Sequence, residues 1–171
     1  MPRSMVYAVD VDVPAAVMYR NFTTIDYWQD LVTFYKENAA TAEIAHFSTD
    51  ENGTDVAFSH ILSAQDLPPI ARPVLPGTFT ITREQHFDPF HEPTNRALGN
   101  YRAQIPAVPV EVTGTYVLQD TAHGSQMSLK TLCTVRVPII GGQMEKLLAN
   151  GLQSMFSAEG EFTGHWLAGH R

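Results

Sequence analysis

The sequence predicts an α+β fold in which a curved antiparallel sheet of six to seven strands packs against one long C-terminal helix. Residues 42–137 hold a succession of short segments in which apolar and polar side chains alternate, as they do in strands that bury one face. Residues 137–166 are the one long stretch in which apolar side chains recur at helical spacing. Because only this helix is long enough to cover the sheet, we expect the sheet to wrap around it.

The chain begins with one strand and two short helices. Residues 5–11 alternate and are rich in valine, which favours a strand, and Pro14 ends it. Residues 15–22 predict a short helix. Thr24 and Asp26 mark the start of a second helix, whose apolar side chains recur at helical spacing.

A hairpin follows the two helices. Residues 42–49 and 55–63 alternate, and Asp50-Glu51-Asn52-Gly53 joins them. Asn-Gly is the strongest local signal for a tight turn between antiparallel strands. We therefore expect these segments to pair.

An apolar loop interrupts the strands at residues 67–77, where LPPIARPVLPG holds four prolines. Proline removes a backbone donor, so this segment cannot be an interior strand. The remaining strand predictions follow it: residues 78–87, 95–105, 108–118 and 125–137.

The long helical pattern carries one broad apolar stripe. One charged residue, Glu159, interrupts it, because at about 100° per residue its side chain projects to the same side as the apolar ones. Pro138 suits the first helical turn. The stripe consists of Ile140, Met144, Leu147, Leu148, Leu152, Met155, Phe162 and Trp166. We expect its first half to be a core surface and its C-terminal half, around Met155, Glu159 and Phe162, to form a cavity wall.

Composition limits the classes of function. The 171 residues are 44% apolar or aromatic, which suits one compact domain spanning residues 1–171. The net charge of -7 with no basic run argues against nucleic acid and against an anionic membrane surface. The single cysteine, Cys133, fits a reducing compartment, and no stretch has the length of a membrane span. We expect a cytoplasmic protein without stable membrane insertion, for which a homodimer stays possible.

The order of elements, the proline-rich loop and the terminal segment together resemble the START-like helix-grip superfamily (SRPBCC proteins), which includes pollen-allergen-type lipid binders and polyketide cyclases. More narrowly, VPIIGGQMEKLL and EGEFTGHWL resemble an uncharacterised actinobacterial family, domain-of-unknown-function family 2505. The resemblance extends over essentially the whole chain. It implies the helix-grip fold and a pocket, and leaves the chemistry open.

A curved sheet around a straight helix leaves space between them, which is the usual place for an apolar ligand. The period of two along each strand then selects the side chains that face this space. Together with the helix they give these pocket candidates: Phe58, His60, Phe79, Ile81, Arg83, Gln85, Tyr101, Tyr116, Leu129, Cys133, Met155, Glu159 and Phe162.

Arg83 and Glu159 are the charged members of this set. An unpaired charge in an apolar interior is costly, so we predict that the two approach each other in the pocket, where they could anchor a carboxylate, hydroxyl or keto group. The alternative is that Arg83 lies at the rim of the sheet and Glu159 at an exposed end of the helix, both in water.

Catalytic and metal motifs are missing from the sequence. It has no HExxH, CxxC, GxSxG or glycine-rich phosphate loop, and Cys133 on an apolar face is typical of an inert thiol, so we expect no metal and no cofactor. A cyclase or aromatase could still work without a cofactor, with proton transfer by groups such as Tyr101, Arg83, Glu159 and His60.

The apolar side chains of the proline-rich loop, Leu67, Ile70, Val74 and Leu75, favour a position over the pocket mouth. The loop could gate entry together with the second helix around Trp28, or it could be a static plug on the sheet edge.

The function predicted first is non-enzymatic binding or carriage of an apolar small molecule such as a lipid, polyketide or sterol-like compound. The alternatives are a cofactor-independent cyclase or aromatase, and a structural or protein-interaction module. A wide apolar cavity favours carriage, a convergent acid and base favour chemistry, and a filled core favours neither.

Overall fold

A computed structural model describes residues 2–37, 41–63, 65, 67–74 and 77–170. They form the predicted α+β fold, with seven strands and three helices. In chain order the elements are β1 (Arg3–Val11), α1 (Ala15–Phe22), α2 (Ile25–Glu37), β2 (Thr41–Asp50), β3 (Gly53–Ser63), β4 (Thr78–Phe87), β5 (Arg96–Gln104), β6 (Val110–Asp120), β7 (Ser125–Val135) and α3 (Gly141–Ala168).

All neighbouring strands are antiparallel, and their order across the sheet is β1-β7-β6-β5-β4-β3-β2. Strands β2 to β7 therefore form a meander, and the last strand, β7, pairs with the first strand, β1. Helix α3 packs on β1 and β7, and α2 packs on β2. The helices thus pack near the two opposite edges of a curved sheet.

The predicted hairpin is confirmed, with a shorter turn. Asp50 pairs with Gly53, so the loop is Glu51-Asn52 and Gly53 already belongs to β3. The Asp50 carboxylate accepts the backbone N–H of Asn52 at 2.7 Å, a local bond that fixes the turn.

The start of the long helix was predicted too early. Helix α3 begins at Gly141, and Pro138 lies outside it. Ile139 has a φ of 73° and a fully exposed side chain, which breaks any helical path from Val137. The sequence pattern could not indicate this left-handed conformation, which is unusual for a β-branched residue, because the residues on both sides of Ile139 are apolar as well.

An aromatic cluster fills the space between α1, α2 and the C-terminal half of α3. Phe22 lies 4.9 Å from Tyr27 and 5.4 Å from Phe87 between ring centroids, and Tyr27 lies 5.3 Å from Trp166. Trp28 is 3% exposed and donates its indole N–H to the carbonyl of Phe22 at 2.9 Å. This side chain therefore belongs to the packed core, and gating by the second helix around Trp28 stays a prediction.

Close packing of α3 on the sheet depends on one small residue. A Cβ at Gly160 would lie 2.8 Å from the hydroxyl oxygen of Tyr7 and 3.1 Å from a methyl carbon of Val9. Glycine here lets the helix approach β1 directly.

Over the described residues, no helix combines the length and apolarity needed to cross a membrane.

Candidate functional site

An apolar cavity, here called the outer cavity, lies between the sheet and the N-terminal half of α3. Its volume is about 360 Å³, and every described residue that lines it is apolar or glycine. Phe79, Ile81 and Val135 line it from the sheet. The helix contributes Met144, Leu147, Leu148, Gly151, Leu152 and Met155.

A second cavity of about 240 Å³, the inner cavity, continues the outer one toward the middle of the sheet. The two share Leu62, Ile81, Leu152 and Met155, so they are separated by little more than these side chains. The inner cavity differs in having polar side chains in its wall: Tyr35, His60, Arg83 and Tyr101. The lining residues therefore change from apolar ones alone to a set that includes these four polar residues, although the surface that faces the inner cavity is itself almost wholly apolar.

A space of only about 30 Å³, which is roughly one water molecule, lies beyond Arg83 toward α1. Glu159, Gln85 and Tyr116 line it, together with side chains of the aromatic cluster. Arg83 thus stands between the inner cavity and this small space, and it contacts both.

Arg83 and Glu159 form a buried bidentate pair, and the predicted approach of the two is confirmed. The guanidinium Nη1 and Nη2 donate to the two carboxylate oxygens at 2.7 and 3.2 Å. The side chains are 5% and 16% exposed, which excludes the alternative of two solvated charges. Burial raises the pKa of Glu159 to about 8, while the guanidinium opposes this shift by stabilising the carboxylate. The ring of Phe58 lies under the guanidinium carbon at 5.3 Å.

His60 is buried in the wall of the inner cavity, with its ring edge-on to Tyr35 at 5.1 Å between centroids. Burial, together with the charge of Arg83, lowers the pKa of His60 to about 4. The imidazole is consequently neutral at physiological pH, with one nitrogen protonated and the other able to accept.

Two tyrosine hydroxyls around the pair are hydrogen-bonded within the protein. Tyr101 bonds to Thr131, and Tyr116 donates to the side-chain oxygen of Gln85. Burial raises the pKa of Tyr101 to about 12, so it stays protonated at neutral pH. The Tyr101 ring lies directly over Gly114, where an added Cβ would clash with its Cε1, so only glycine fits across from it.

Four buried polar atoms have no hydrogen-bond partner among the described residues: Tyr35 Oη, His60 Nε2, Arg83 Nε and Gln85 Nε2. The first three belong to side chains of the inner cavity wall. Unpaired buried groups of this kind are rare in folded proteins, and here all four atoms are occluded by neighbouring side chains and do not open onto the cavity space.

The sequence-predicted pocket residues divide into three groups. The outer and inner cavities bring together Phe79, Ile81, Met155, His60, Arg83 and Tyr101. The small space beyond Arg83 holds Gln85, Tyr116, Leu129 and Glu159. None of the three spaces is lined by Phe58, Cys133 or Phe162.

Those last three are packing residues, for identifiable reasons. Phe58 supports Arg83 from below, and Phe162 packs on Tyr27 and Phe34 at 5.9 and 5.2 Å between centroids. Cys133 is fully buried, and burial raises the pKa of its thiol to about 11, as expected of an unreactive cysteine. An inward-facing position meets either empty space or another side chain, and the periods of strand and helix do not distinguish the two, so a ligand-binding role of these three residues stays a prediction.

The predicted division of α3 into a core half and a cavity half holds for Met155, which lines both large cavities, but the N-terminal half that was expected to be a core surface lines the outer cavity as well. The outer cavity follows the N-terminal half, from Met144 to Met155. The C-terminal half meets the aromatic cluster, where Tyr27 Oη and Thr163 Oγ1 lie 2.8 Å apart. Large aromatic side chains from α1 and α2 fill one end of the space under the sheet, so the vacant volume lies at the other end.

The described part of the proline-rich loop covers the outer cavity through Leu67, Pro68 and Ala71. Ala71 packs with Val135 and Met144. Ile70 is partly buried and lines neither large cavity. Arg72 donates to the backbone carbonyls of Leu67 and Gln65 at 3.2 and 3.3 Å and so ties the loop to itself. Leu75 lies outside the described residues, as does the side chain of Val74.

Sequence reasoning missed two polar residues. The helical pattern shows Tyr35 only as one apolar position of α2, although its hydroxyl is a buried polar atom that needs a partner. Glu145 is 3% exposed, and its carboxylate accepts the backbone N–H of Val135 at 2.9 Å, which attaches the start of α3 to the end of β7. On the helical wheel Glu145 lies four residues after Gly141 and beside the apolar stripe, and this position is the signal in the sequence that could have identified it.

Within the described residues no three His, Cys, Asp or Glu side chains are placed to hold a metal ion.

Relatives of the chain share its whole length. The family DUF2505, proteins of unknown function, matches residues 7–167. The uncharacterised proteins Rv0481c of Mycobacterium tuberculosis and Mb0491c of Mycobacterium bovis are each 28% identical over 172 residues, which is 98% of either chain.

Three solved structures resemble this one at low sequence identity. TTHA0849 from Thermus thermophilus has a TM-score of 0.60 at 12% identity, over 99% of this chain and 98% of its own. Norcoclaurine synthase from Thalictrum flavum, in complex with dopamine and hydroxybenzaldehyde, has a TM-score of 0.51 at 12% identity, over 100% and 89%. The di-domain ARO/CYC StfQ of the steffimycin pathway has a TM-score of 0.54 at 16% identity, over 98% of this chain and 50% of its own.

At these identities the structural likeness shows the helix-grip fold, and the match over residues 7–167 shows the family. The chain therefore belongs to the DUF2505 family and has the START-like helix-grip fold.

Proposed function

We propose that the protein binds and carries an apolar small molecule in the outer and inner cavities, without chemical change. The observation that carries this proposal is the outer cavity, about 360 Å³ of space with a wholly apolar lining. Ligand pockets typically enclose about 300 to 1,000 Å³, and each Å² of apolar surface removed from water contributes about 25 cal/mol. Such a cavity favours an apolar occupant over water.

The structural relatives support a small-molecule role by analogy. Norcoclaurine synthase has the same fold and was solved with two small aromatic molecules, dopamine and hydroxybenzaldehyde. The analogy concerns the capacity of this fold to bind small molecules and does not name the ligand of this chain.

Two measurements test the proposal. Native mass spectrometry of the protein purified from its own host should show a co-purified apolar molecule. In parallel, the uncharged fluorescent probe phenylnaphthylamine should bind to protein stripped of that molecule.

A variant that fills the outer cavity gives the sharper test. Gly151 lies on the same face of α3 as Leu148 and Met155, lines the outer cavity, and has no atom within 4 Å of an added Cβ. Gly151→Leu should abolish probe binding and raise the stability of the helix by up to about 0.8 kcal/mol, because leucine is the better helix former. Gly142→Leu is the control, since Gly142 also lies in α3 with open space around it and lines neither large cavity. Unchanged probe binding to Gly151→Leu would refute the proposed site.

The loop over the outer cavity is proposed to act as its lid. Leu67, Pro68 and Ala71 line the cavity, and a ligand entering between sheet and helix would meet them. Hydrogen exchange at Ala71 and Arg72, whose amides bond to nearby proline carbonyls at 3.0 and 3.3 Å, should slow when ligand binds. Exchange that is unchanged by a ligand of measured affinity would make the loop a static plug.

Cofactor-independent catalysis is the second candidate, favoured by one observation. His60 and Tyr35 both line the inner cavity with their ring centroids 5.1 Å apart, and each has a polar side-chain atom without a partner among the described residues. A neutral imidazole and a phenol in an apolar cavity can move protons on a bound carbonyl compound. If so, the co-purified molecule should be converted by wild-type protein, while His60→Phe should bind it without conversion.

A further inference from the structure

The two large cavities differ in how close their walls lie to the protein surface. The outer cavity is lined in part by the exposed residues Pro68, Leu147 and Gly151. The residues that line only the inner cavity are, apart from Ala103, no more than 8% exposed. The outer cavity is therefore the entrance to the site, and the inner cavity is its deep end.

Over the described residues, the deep end offers no free polar group to a ligand. Its surface is almost wholly apolar, although four polar side chains contribute to its wall: Tyr35, His60, Arg83 and Tyr101. The unpaired atoms of the first three are occluded by their neighbours. The terminal nitrogens of Arg83 donate to Glu159, and the Tyr101 hydroxyl is hydrogen-bonded within the protein. A polar ligand group that entered the inner cavity would lose its water and gain no partner.

The volumes determine how long a chain must be to reach the inner cavity. At about 30 Å³ per methylene, close to the volume of one water molecule in the liquid, the outer cavity of about 360 Å³ takes roughly twelve carbons and the inner cavity of about 240 Å³ roughly eight. The two spaces meet at the side chains that they share, one of which is the flexible Met155. A chain of more than about twelve carbons therefore has to extend into the inner cavity.

We infer that the ligand is a long apolar chain whose polar atoms are confined to one end, and that it binds with its apolar end in the inner cavity and its polar end at the rim of the outer cavity. The inference rests on the proposed binding function and adds the ligand class and the orientation. It excludes oxygen-rich chains such as polyketones, because each oxygen along the chain would be buried without a partner.

Two isomers test the inference, because they differ only in the position of one hydroxyl. Tetradecane-1,2-diol carries both hydroxyls at one end, and tetradecane-1,14-diol carries one at each end. Fourteen carbons exceed the roughly twelve that the outer cavity takes. Affinities are measured by displacement of phenylnaphthylamine. The 1,14-diol should bind about 5- to 150-fold more weakly than the 1,2-diol, because its second hydroxyl is either buried without a partner or holds the chain out of the inner cavity.

Nuclear Overhauser effects between ligand and protein show the orientation directly. Tetradecane-1,2-diol is labelled with ¹³C at its terminal methyl group and bound to the wild-type protein. The labelled methyl should contact Ala103 and Val112, which line only the inner cavity. The hydrogens on the hydroxyl-bearing carbons should contact Leu147, which lines only the outer cavity.

A variant that fills the inner cavity separates the two parts of the site. Ala103→Leu should weaken the binding of tetradecane-1,2-diol by at least about tenfold, at about fourfold for each methylene that the new side chain displaces. Octane-1,2-diol fits the outer cavity alone, so its affinity should be unchanged. Ala158→Leu is the matched control, because Ala158 is exposed on α3 and lines none of the three spaces.

The outcomes separate this inference from the function on which it rests. If the two isomers bind alike, or if the labelled methyl contacts Leu147 instead of Val112, the inference is overturned while apolar binding stands. The same holds if tetradecane-1,2-diol fails to displace phenylnaphthylamine that is bound. If phenylnaphthylamine itself does not bind, the proposed function fails and the inference fails with it. Should Ala103→Leu not fold, the isomers and the Overhauser contacts of the wild-type protein decide the question.

Discussion

The buried pair of Arg83 and Glu159 should be strongly coupled, and its two halves should differ in what their removal costs. Glu159→Leu leaves a guanidinium buried without its counter-ion, and an arginine cannot neutralise itself by losing a proton. We expect a loss of about 3 to 5 kcal/mol in the free energy of unfolding. At about 2 to 4 °C per kcal/mol for a chain of this length, the melting temperature should fall by roughly 10 °C.

Arg83→Met should cost less, about 1 to 3 kcal/mol, because the stranded carboxyl can take up a proton. Burial already raises the pKa of Glu159 to about 8 with the arginine present, and loss of the opposing charge raises it further. The double variant Arg83→Met/Glu159→Leu should be more stable than Glu159→Leu alone, since it leaves no unpaired charge.

Urea unfolding of the four proteins at about pH 9 measures the coupling free energy as a double-mutant cycle. The chain offers a matched control in Arg102 and Glu111, a pair at 2.8 Å whose side chains are 53% and 32% exposed. The same cycle on that pair should give no more than about 1 kcal/mol. Additive single effects at Arg83 and Glu159, or a Glu159→Leu variant within about 0.5 kcal/mol of wild type, would contradict the reasoning.

Three further predictions concern single side chains. The pKa of His60 is lowered from 6.5 to about 4, so its stabilising contribution is complete above pH 6.5 and is lost as the pH falls to 4. At about 1.4 kcal/mol per pH unit this amounts to about 3 kcal/mol, a slope in urea-unfolding free energy that His60→Phe should lack. Tyr35→Phe should leave thermal stability unchanged or raise it, whereas Tyr101→Phe, which breaks a buried hydrogen bond, should lower it by about 1 kcal/mol. Glu145→Ala strands the backbone N–H at the end of β7 and should cost about 1 to 3 kcal/mol by urea unfolding, while Glu161→Ala on the exposed face of α3 should cost under about 0.5 kcal/mol.

The fold could be predicted from the sequence because its signals are local and periodic. The alternation in β4 placed Phe79, Arg83 and Gln85 on one face, and all three are buried in the structure. The helical wheel placed Glu159 toward the same interior. Two independent periods, one of the strand and one of the helix, therefore sufficed to bring two charges together that are 76 positions apart in the chain.

The lining of the cavities could not be predicted in the same way, because it depends on the side chains of several elements at once. Whether an inward position lines a cavity depends on what fills the space opposite, and for Cys133 and Phe162 the neighbours decided the matter. Tyr35 illustrates the reverse case, since its place in the α2 stripe was evident but its position in the wall of an unfilled cavity was not. The period of a strand or helix predicts the direction of a side chain, whereas the empty volume beside that side chain depends on how the whole core packs.

The position of the cavity follows from how the aromatic residues are distributed along the chain. Helices α1 and α2 bring Phe22, Tyr27 and Trp28 under one end of the sheet, where they meet Phe87 and Trp166. The N-terminal half of α3 faces the sheet with aliphatic side chains and Gly151, which cannot fill the same depth. Arg83 lies at the boundary, with the cluster and Glu159 on one side and the cavities on the other. One buried arginine thus closes the packed half of the interior through its bidentate pair with Glu159 and borders the open half with the rest of its side chain.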